Sequence, residues 1–364
     1  MEQVYNFNAG PAALPKDVLT EAHENWFDFR GTKANIMELS HRSKAYDELH
    51  KAALERIRSL MNLDDSYDVL FLQGGASLQF AMVPMNFLSK DKVGGYILTG
   101  SWSKKALREA KQVGHGEQFG PSDSEFRKIP SATEFHQPDP KVYDYIHLTT
   151  NNTIYGTQWQ ELPAFSDVPV LIDSSSDFLS YDMPKDSFDL LYAGAQKNAG
   201  PSGVTIVVIK KELIEKGAKE IPHFLQYRTH AEKNSLYHTP PTFSVYMLSL
   251  TLKWIEQQGG LQAMQERNTY KSNLIYNVID QSNNFYKGWA SIESRSKMNV
   301  TFTLPSEELT RAFIKESEKE GMMGLKGHRS VGGLRASLYN AVPLEAVQYL
   351  EDFMKRFYMA NRNK

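Results

Sequence analysis

The sequence predicts an α/β protein that is divided into two structural units. Short apolar runs alternate with segments of helical period, and this alternation is typical of a sheet covered by helices. The chain has 364 residues, which is longer than the length that one hydrophobic core usually serves. With 41% hydrophobic and 23% charged residues, the composition is that of a folded globular protein.

The buried strands of the predicted sheet are short runs of apolar and β-branched residues. Most of them are followed by a polar or glycine-containing turn, as expected for strands that alternate with helices. They are Val69–Leu72, Tyr96–Thr99, Tyr145–Thr150, Val168–Ile172, Leu190–Tyr192 and Val204–Ile209.

Segments with the spacing of amphipathic helices lie between these strands and after them. They are Ala45–Met61, Ser77–Phe87, Ser103–Val113 and Ser244–Gln258. The pair Gly259-Gly260 is a stop signal and marks a predicted domain boundary. Beyond it, Trp289–Leu304 predicts a small antiparallel sheet and Pro343–Ala360 a closing helix, so the second unit is expected to be α+β.

Charge and composition exclude several classes of function. The 41 basic and 43 acidic residues nearly balance, so nucleic acid is not an expected partner. The absence of cysteine excludes disulfides, thiol nucleophiles and thiolate metal sites, and no metal is expected. No run of 18 apolar residues occurs and the first residues do not form a secretory signal pattern, so we expect no membrane partner and a cytoplasmic location.

An acid and an amine follow two neighbouring strands of the predicted sheet. Asp173 comes directly after Val168–Ile172, and Lys197 follows Leu190–Tyr192 by a short turn of small residues. Ligands of parallel α/β sheets bind beyond the carboxyl ends of the strands. A lysine there can reach a cofactor aldehyde and a carboxylate can hold a pyridinium nitrogen, which together indicate pyridoxal-phosphate chemistry. Taken singly, Asp173 is more readily explained as a helix cap and Lys197 as a surface charge, and it is the pair in this order that favours the cofactor.

The turn Gln73-Gly74-Gly75-Ala76-Ser77 joins a strand to a helix and can present backbone N–H groups to a phosphate. An ordinary glycine turn explains it as well. Trp102 follows the strand Tyr96–Thr99 and offers a flat face for a planar ring, although buried tryptophans are more often core residues. Thr153, after Tyr145–Thr150, can contact a ring oxygen or cap a turn. No P-loop or dinucleotide fingerprint occurs.

Cationic residues near both ends of the sequence can bind anions. His328, Arg329 and Arg335 are interleaved with glycines, and arginine forms bidentate bonds to carboxylate and phosphate. Two arginines suit a substrate that carries both groups. The alternative explanation is that these residues form a solvated charged loop without a ligand. His41 and Arg42 form a further cationic pair.

Four segments together resemble the phosphoserine aminotransferase family, within the class V, fold type I pyridoxal-phosphate enzymes. The resemblance runs from Phe7 to Pro343. The segments are Glu38–Ser43, Gly194–Pro201, Thr239–Phe243 and Gly327–Arg329 with Gly332–Ser337. It implies a large domain over residues 16–258 with a mainly parallel seven-stranded sheet, and a small domain from residues 1–15 and 259–364. It also implies a homodimer that shares residues between its active sites.

The resemblance also implies roles for individual residues. Lys197 would bind pyridoxal 5'-phosphate as a Schiff base and move the proton, with Asp173 at the pyridine nitrogen, Trp102 on the ring and Thr153 at its oxygen. Arg335 would bind the α-carboxylate. The cofactor phosphate would be held by Ala76, Ser77 and Gln196, with His238 and Thr239 from the partner chain, and the remote phosphate or carboxylate by His328, Arg329, His41 and the partner's Arg42.

The activity implied by the resemblance is amino transfer between L-glutamate and 3-phosphohydroxypyruvate, giving O-phospho-L-serine and 2-oxoglutarate in serine biosynthesis. Use of 4-phosphohydroxythreonine in pyridoxine biosynthesis stays open. The alternatives are another fold type I aminotransferase, such as a serine-glyoxylate type, or an inactive cofactor-binding protein. The chain departs from the family at His238, where asparagine is common, and at Ser77, where some members have arginine.

Overall fold

The computed structural model describes residues 4–363 and contains a large sheet covered by helices, followed by a smaller unit. The strands are β1 (Tyr5–Asn6), β2 (Tyr67–Leu72), β3 (Val93–Tyr96), β4 (Gly116–Gln118), β5 (Tyr143–Thr149), β6 (Asn151–Asn152), β7 (Thr157–Gln158), β8 (Val170–Asp173), β9 (Leu190–Gly194), β10 (Thr205–Lys210), β11 (Lys287–Gly288), β12 (Asn299–Thr303), β13 (Met322–Met323) and β14 (Leu334–Ser337).

The α-helices cover both faces of the large sheet and build most of the smaller unit. They are α1 (Lys16–Glu24), α2 (Lys44–Leu60), α3 (Gly75–Phe87), α4 (Ser101–Val113), α5 (Lys211–Lys216), α6 (Tyr227–Glu232), α7 (Thr242–Gln257), α8 (Gly260–Asp280), α9 (Glu307–Lys319) and α10 (Leu344–Asn361). No helix among residues 4–363 is long and apolar enough to cross a membrane.

The large sheet has seven strands in the order β2-β10-β9-β8-β5-β3-β4. Only β10 runs against its neighbours, since its pairings with β2 and β9 are antiparallel while the other four pairings are parallel. The prediction of a mainly parallel seven-stranded sheet is therefore confirmed. The carboxyl ends of six strands point to one edge, and that edge is where a ligand is expected.

Strands β2 and β10 are buried on both faces, because they are covered on each side by helices. Val69 and Phe71 pack into one hydrophobic core, and the alternate residues Leu70 and Leu72 pack into another. The same alternation continues along β10 from Ile206 to Ile209. This double burial explains why these strands read as continuous apolar runs in the sequence.

The strand predicted at Tyr96–Thr99 lies earlier in the chain, at Val93–Tyr96. Two glycines hide it in the sequence, because they supply no side chain to a hydrophobic pattern. A Cβ atom on Gly94 would lie 2.6 Å from the Tyr145 hydroxyl oxygen, and one on Gly95 would lie 2.6 Å from Ile146 Cδ1. The glycines therefore permit β3 to pack against β5. The edge strand β4 was not predicted from the sequence.

The smaller unit has its own three-stranded antiparallel sheet, in the order β11-β12-β14. A separate hydrophobic core fills it, with Phe302, Phe313 and Phe353 among its buried residues and Phe7 contributed from near the N-terminus. The prediction of strands throughout Trp289–Leu304 was partly wrong, since residues 289–298 contain a short 3-10 helix instead of a strand.

We propose that the chain divides into domains at residues 16–258 and at residues 1–15 with 259–364. The separate core supports this division, as does the parallel pairing of β1 with β13, which joins the N-terminal segment to the smaller unit. Residues 1–3 and 364 of the proposed small domain lie outside the described part of the chain. At the boundary, Gly259 has a φ of 97° and α8 begins directly after it.

Candidate active site

A cavity of about 280 Å³ lies at the carboxyl edge of the large sheet. Asp173 is the last residue of β8, and Lys197 follows the end of β9 by three residues. Both side chains line the cavity, together with residues from the N-terminal segment and from the smaller unit. The alternation of strands and helices therefore places an acid and an amine in one pocket, as the sequence predicts.

Burial and nearby charges act in opposite directions on the Lys197 amine. Burial lowers its pKa to about 8, the carboxylates of Asp173 and Asp177 raise the pKa, and Arg335 lowers it. The Lys197 Nζ lies 5.9 Å from the centroid of the Trp102 ring. About a tenth of the amine is consequently uncharged near pH 7, and this is the form that can act as a nucleophile or as a base.

The Asp173 carboxyl is enclosed, with 4% of the residue exposed. Its Oδ1 accepts a hydrogen bond from the Ser175 backbone N–H at 3.0 Å. Burial raises the pKa of Asp173, whereas the hydrogen bonds from Ser175 and the charge of Lys197 lower it. A positively charged ring nitrogen placed beside this carboxylate would stabilise its ionised form.

The N-terminus of α3 faces the same cavity. Gly75, Ala76 and Ser77 line it, and the first hydrogen bond at this end of the helix runs from Leu78 N–H to Gly74 O at 3.2 Å. The three N–H groups before Leu78 are thus those that a helix leaves without an intrahelical acceptor. Gly74 and Gly75 have positive φ angles of 86° and 63°, which only glycine adopts readily. This end of the helix can bind a phosphate.

Trp102, in the first turn of α4, presents its ring to the cavity and is fixed by a hydrogen bond. Its Nε1–H donates to Thr153 Oγ1 at 3.1 Å. Thr149 adds a buried hydroxyl that lines the cavity and has no hydrogen-bond partner among residues 4–363. The cavity thus combines a flat aromatic face with a polar atom that a bound group could satisfy.

Two cationic residues enter the cavity from the smaller unit. Arg335, in β14, donates from Nη1 to the Thr153 carbonyl at 2.9 Å, and its buried Nε has no partner in the described chain. His328 Nδ1 accepts a hydrogen bond from the Ser330 backbone N–H at 3.2 Å. Nδ1 also lies 2.7 Å from the Ser330 hydroxyl oxygen, so its contacts lie within its own loop and Nε2 is the ring nitrogen left for a bound anion.

The features of this cavity can be compared with known proteins. The family model described as aminotransferase class-V matches residues 4–350. The chain belongs to this family.

Curated relatives of this class-V aminotransferase include two proteins named phosphoserine aminotransferase. The protein from Halalkalibacterium halodurans is 55% identical over all of both chains. The one from Bacillus subtilis is 50% identical over 99% of this chain and all of the relative. Each match spans the whole architecture and not one domain alone.

Solved structures give the same result. The phosphoserine aminotransferase of Bacillus circulans subsp. alkalophilus has a TM-score of 0.95 and 48% identity, and covers 98% of this chain and 99% of its own. The pyridoxal-phosphate-bound phosphoserine aminotransferase of Trichomonas vaginalis has a TM-score of 0.91 and 35% identity, and covers 97% and 100%. The fold type I class is therefore confirmed.

The cavity of this class-V aminotransferase contains nine of the predicted site residues. They are Ala76, Ser77, Trp102, Thr153, Asp173, Gln196, Lys197, His328 and Arg335. The other five, His41, Arg42, His238, Thr239 and Arg329, are not among the residues that line it.

Several cavity residues were not predicted as site residues. Asn151, Ser175 and Ser176 line the cavity, and they lie next to the strand ends that directed the prediction to Asp173 and Thr153. Ala9 and Gly10 line it from the N-terminal segment. Gly10 has a φ of 137°, which glycine adopts readily, and it lies beside the stem of Lys197.

Proposed function

We propose that the chain is a pyridoxal-phosphate-dependent transaminase that exchanges an amino group between L-glutamate and 3-phosphohydroxypyruvate, producing O-phospho-L-serine and 2-oxoglutarate in serine biosynthesis. The observation that carries the proposal is the single cavity that joins the Lys197 amine, the Asp173 carboxyl, a phosphate-binding helix end and Arg335. The relatives that match over the full chain have the corresponding name. Use of 4-phosphohydroxythreonine and the cytoplasmic location stay predictions.

The residues present fit the cofactor. Ala76 and Ser77, with Gln196, would hold its phosphate at the start of α3, and Asp173 would pair with its pyridine nitrogen. When bound, pyridoxal phosphate withdraws electrons from the α-carbon of an attached amino acid and makes the α-hydrogen acidic. Trp102 would stack on the ring, and the Thr149 hydroxyl, which has no protein partner, offers a further contact.

Lys197 would attach the cofactor covalently and carry the proton during the reaction. Its pKa of about 8 permits the amine to accept a proton near neutral pH and to release it again. Arg335 would bind the α-carboxylate through the guanidinium nitrogens that Thr153 does not occupy. His328 would meet the remote anionic group through Nε2, because Nδ1 is engaged by Ser330.

A homodimer would complete the site, because five predicted site residues lie outside the cavity of their own chain and four of them can be supplied by a partner. His41 lies close enough to His238 to lower its pKa further, in addition to the effect of burial. Neither ring nitrogen of His238 has a hydrogen-bond partner among residues 4–363. We propose that His41, Arg42, His238 and Thr239 serve the cavity of a second copy.

Exposed apolar side chains in the same part of the chain support this proposal. Phe27 is 85% exposed and Met37 is 51% exposed, and both precede His41 in one loop. The neighbouring Trp26 packs its ring at 5.6 Å on Phe243, which follows Thr239 by four residues. Exposed apolar surface of this kind marks interaction sites.

The function is tested by measuring 2-oxoglutarate formed from glutamate and 3-phosphohydroxypyruvate by the cofactor-loaded protein. We expect the native chain to be active and Lys197→Ala to lose activity by about 10³-fold or more, because no other group supplies the base. Lys211→Ala, at an exposed position at the start of α5, is the matched control and should retain native activity. Native turnover with glyoxylate in place of the phosphorylated acceptor would support the serine-glyoxylate alternative instead.

A further inference from the structure

Lys105 is an exposed cation at the mouth of the cavity, and nothing above gives it a role. It lies on α4, one turn after Trp102, and its Nζ is 4.1 Å from the centroid of the Trp102 ring. Since Trp102 lines the cavity, this contact holds the ammonium at the cavity edge. Within residues 4–363, no carboxylate lies within 4.0 Å of the Lys105 amine.

His328, from the loop between β13 and β14, and Arg335, from β14, line the same cavity as Trp102. The pKa of His328 is lowered by burial and then by the charges of Arg335, Arg329 and Lys105. Lys105 therefore lies near His328, although α4 and this loop are separated by more than 200 residues of sequence. We call Lys105, His328, Arg329 and Arg335 the cationic rim.

The cationic rim is suited to binding an anion. Like charges that lie near one another repel, and each of these groups would be stabilised by a shared negative ligand. Lysine is a flexible point charge with three donors, so Lys105 can turn from Trp102 toward a ligand at low cost. A phosphate monoester carries a charge of about −1.5 to −2 near neutral pH, and a side-chain carboxylate carries about −1.

We propose that Lys105 binds the remote anionic group of the substrate and selects for phosphate over carboxylate. This inference rests on the proposed function, since it assigns Lys105 to the substrate with the phosphate. Its charge adds to that of His328 and Arg329 at the far end of the substrate, whereas Arg335 binds the common α-carboxylate. Loss of Lys105 therefore weakens binding of the phosphorylated substrate more than binding of glutamate.

The test measures kcat and the KM of each substrate in the complete reaction of the cofactor-loaded enzyme, for Lys105→Met and for native protein. Methionine keeps a flexible apolar stem against Trp102 and removes only the charge. We expect the KM for the phosphorylated substrate to rise about threefold to tenfold, and the KM for glutamate to change less than about twofold. The kcat values should stay near native, and Lys105→Arg should restore the KM.

Lys104 provides a matched control on the same helix. It is also exposed, and its Nζ lies over a different ring, 4.5 Å from the centroid of Phe126. Lys104→Met removes the same charge from the neighbouring position, so its KM values should be native. If the KM for the phosphorylated substrate rises only in Lys105→Met, and the rise becomes smaller when salt is added, a direct effect of the Lys105 charge is supported.

Four outcomes would overturn the inference, and they are distinguishable from one another. Equal losses for both substrates in Lys105→Met would mean that Lys105 only positions Trp102. Identical behaviour of Lys104→Met and Lys105→Met would mean that only the overall charge of the helix matters. If the native enzyme does not use 3-phosphohydroxypyruvate at all, the proposed function fails and the inference fails with it. If the native enzyme is active and the KM values of Lys105→Met are native, only the inference is rejected.

Discussion

The Lys197 amine is uncharged to a useful extent because burial outweighs the two carboxylates near it. Its pKa of about 8 results from the loss of hydration, and Asp173 and Asp177 limit the decrease. The same Asp173 carboxylate would also pair with the pyridine nitrogen of the cofactor. Its removal would then have two separable consequences, one for the Lys197 amine and one for the cofactor ring.

We predict that the cofactor-free chain shows Lys197 reactivity that rises with pH and reaches half its maximum near pH 8. The uncharged amine is the reactive form, and it predominates above the pKa. In Asp173→Asn, the nearby negative charge that raises this pKa is lost, so the midpoint should shift to lower pH. The measurement is a short pulse of acetic anhydride at each pH, followed by mass spectrometry of the peptide that contains Lys197.

Surface lysines provide the internal reference for this experiment. Lys211 is exposed, and removal of the Asp173 charge should leave the pH dependence of its acetylation unchanged. An unchanged midpoint for Lys197 in Asp173→Asn would contradict the electrostatic account of the site.

The residues of the site differ in how far the sequence could predict them. Asp173 and Lys197 were predictable because they follow apolar strands, and the carboxyl ends of parallel strands meet at one edge. The proximity of Lys105 to the site was not predictable, because it depends on how α4, a helix that covers the large sheet, packs beside a loop of the smaller unit. A local pattern carries no information on that contact.

At the scale of elements, a buried lysine of α8 makes three hydrogen bonds within the smaller unit. Lys271 donates from Nζ to the carbonyls of Leu338, Tyr339 and Val342 at 2.9, 2.7 and 3.1 Å. These carbonyls belong to the turn between β14 and α10. Three acceptors match the three donors of an ammonium, although burial lowers the pKa of Lys271 to about 7.

We predict that Lys271→Met lowers the free energy of unfolding by about 3 kcal/mol, because three buried carbonyls lose their donor. The measurement is the midpoint of urea-induced unfolding of the cofactor-free protein, monitored by circular dichroism. Lys287→Met, at an exposed residue of β11, is the control and should unfold like the native chain. A native-like midpoint for Lys271→Met would show that the packing of the helix, and not this amine, holds the turn.

The elements themselves were largely predictable where burial gives a regular pattern. Strands β2 and β10 are apolar on both faces and α2 is clearly amphipathic, so their positions in the sequence were evident. The predicted position of β3 was wrong because its two glycines, Gly94 and Gly95, are required by their close contact with residues of β5. That requirement arises from tertiary packing, which overrides local propensity.

At the scale of the whole molecule, the cavity depends on contact between the large sheet and the smaller unit. Asn340, just after β14, donates from its backbone N–H to Asn198 Oδ1 at 2.9 Å, next to Lys197. Its side chain also accepts from Asn268 Nδ2 at 2.8 Å. Buried bonds of this kind fix the position of Arg335 relative to Lys197, and the sequence could indicate the two units but not this arrangement.

Active sites shared between two copies of the chain would allow two inactive variants to complement each other. If Arg42 serves the partner's site, a mixture of two inactive variants, Lys197→Ala and Arg42→Ala, should recover activity. In a mixed dimer, the site of the Arg42→Ala chain has its own Lys197 and receives a native Arg42 from the Lys197→Ala chain. Random pairing makes half of the dimers mixed, with one intact site in each, so activity should approach about a quarter of the native value.

Arg335 supplies the matched control, because it lines the cavity of its own chain. When Arg335→Ala is mixed with Lys197→Ala, every site lacks either Lys197 or Arg335, so no recovery is expected. The two variants are unfolded together and refolded with cofactor, and activity is compared with that of each variant refolded alone. Recovery with Arg42→Ala but not with Arg335→Ala requires a shared site, whereas recovery with neither would place Arg42 in the cavity of its own chain.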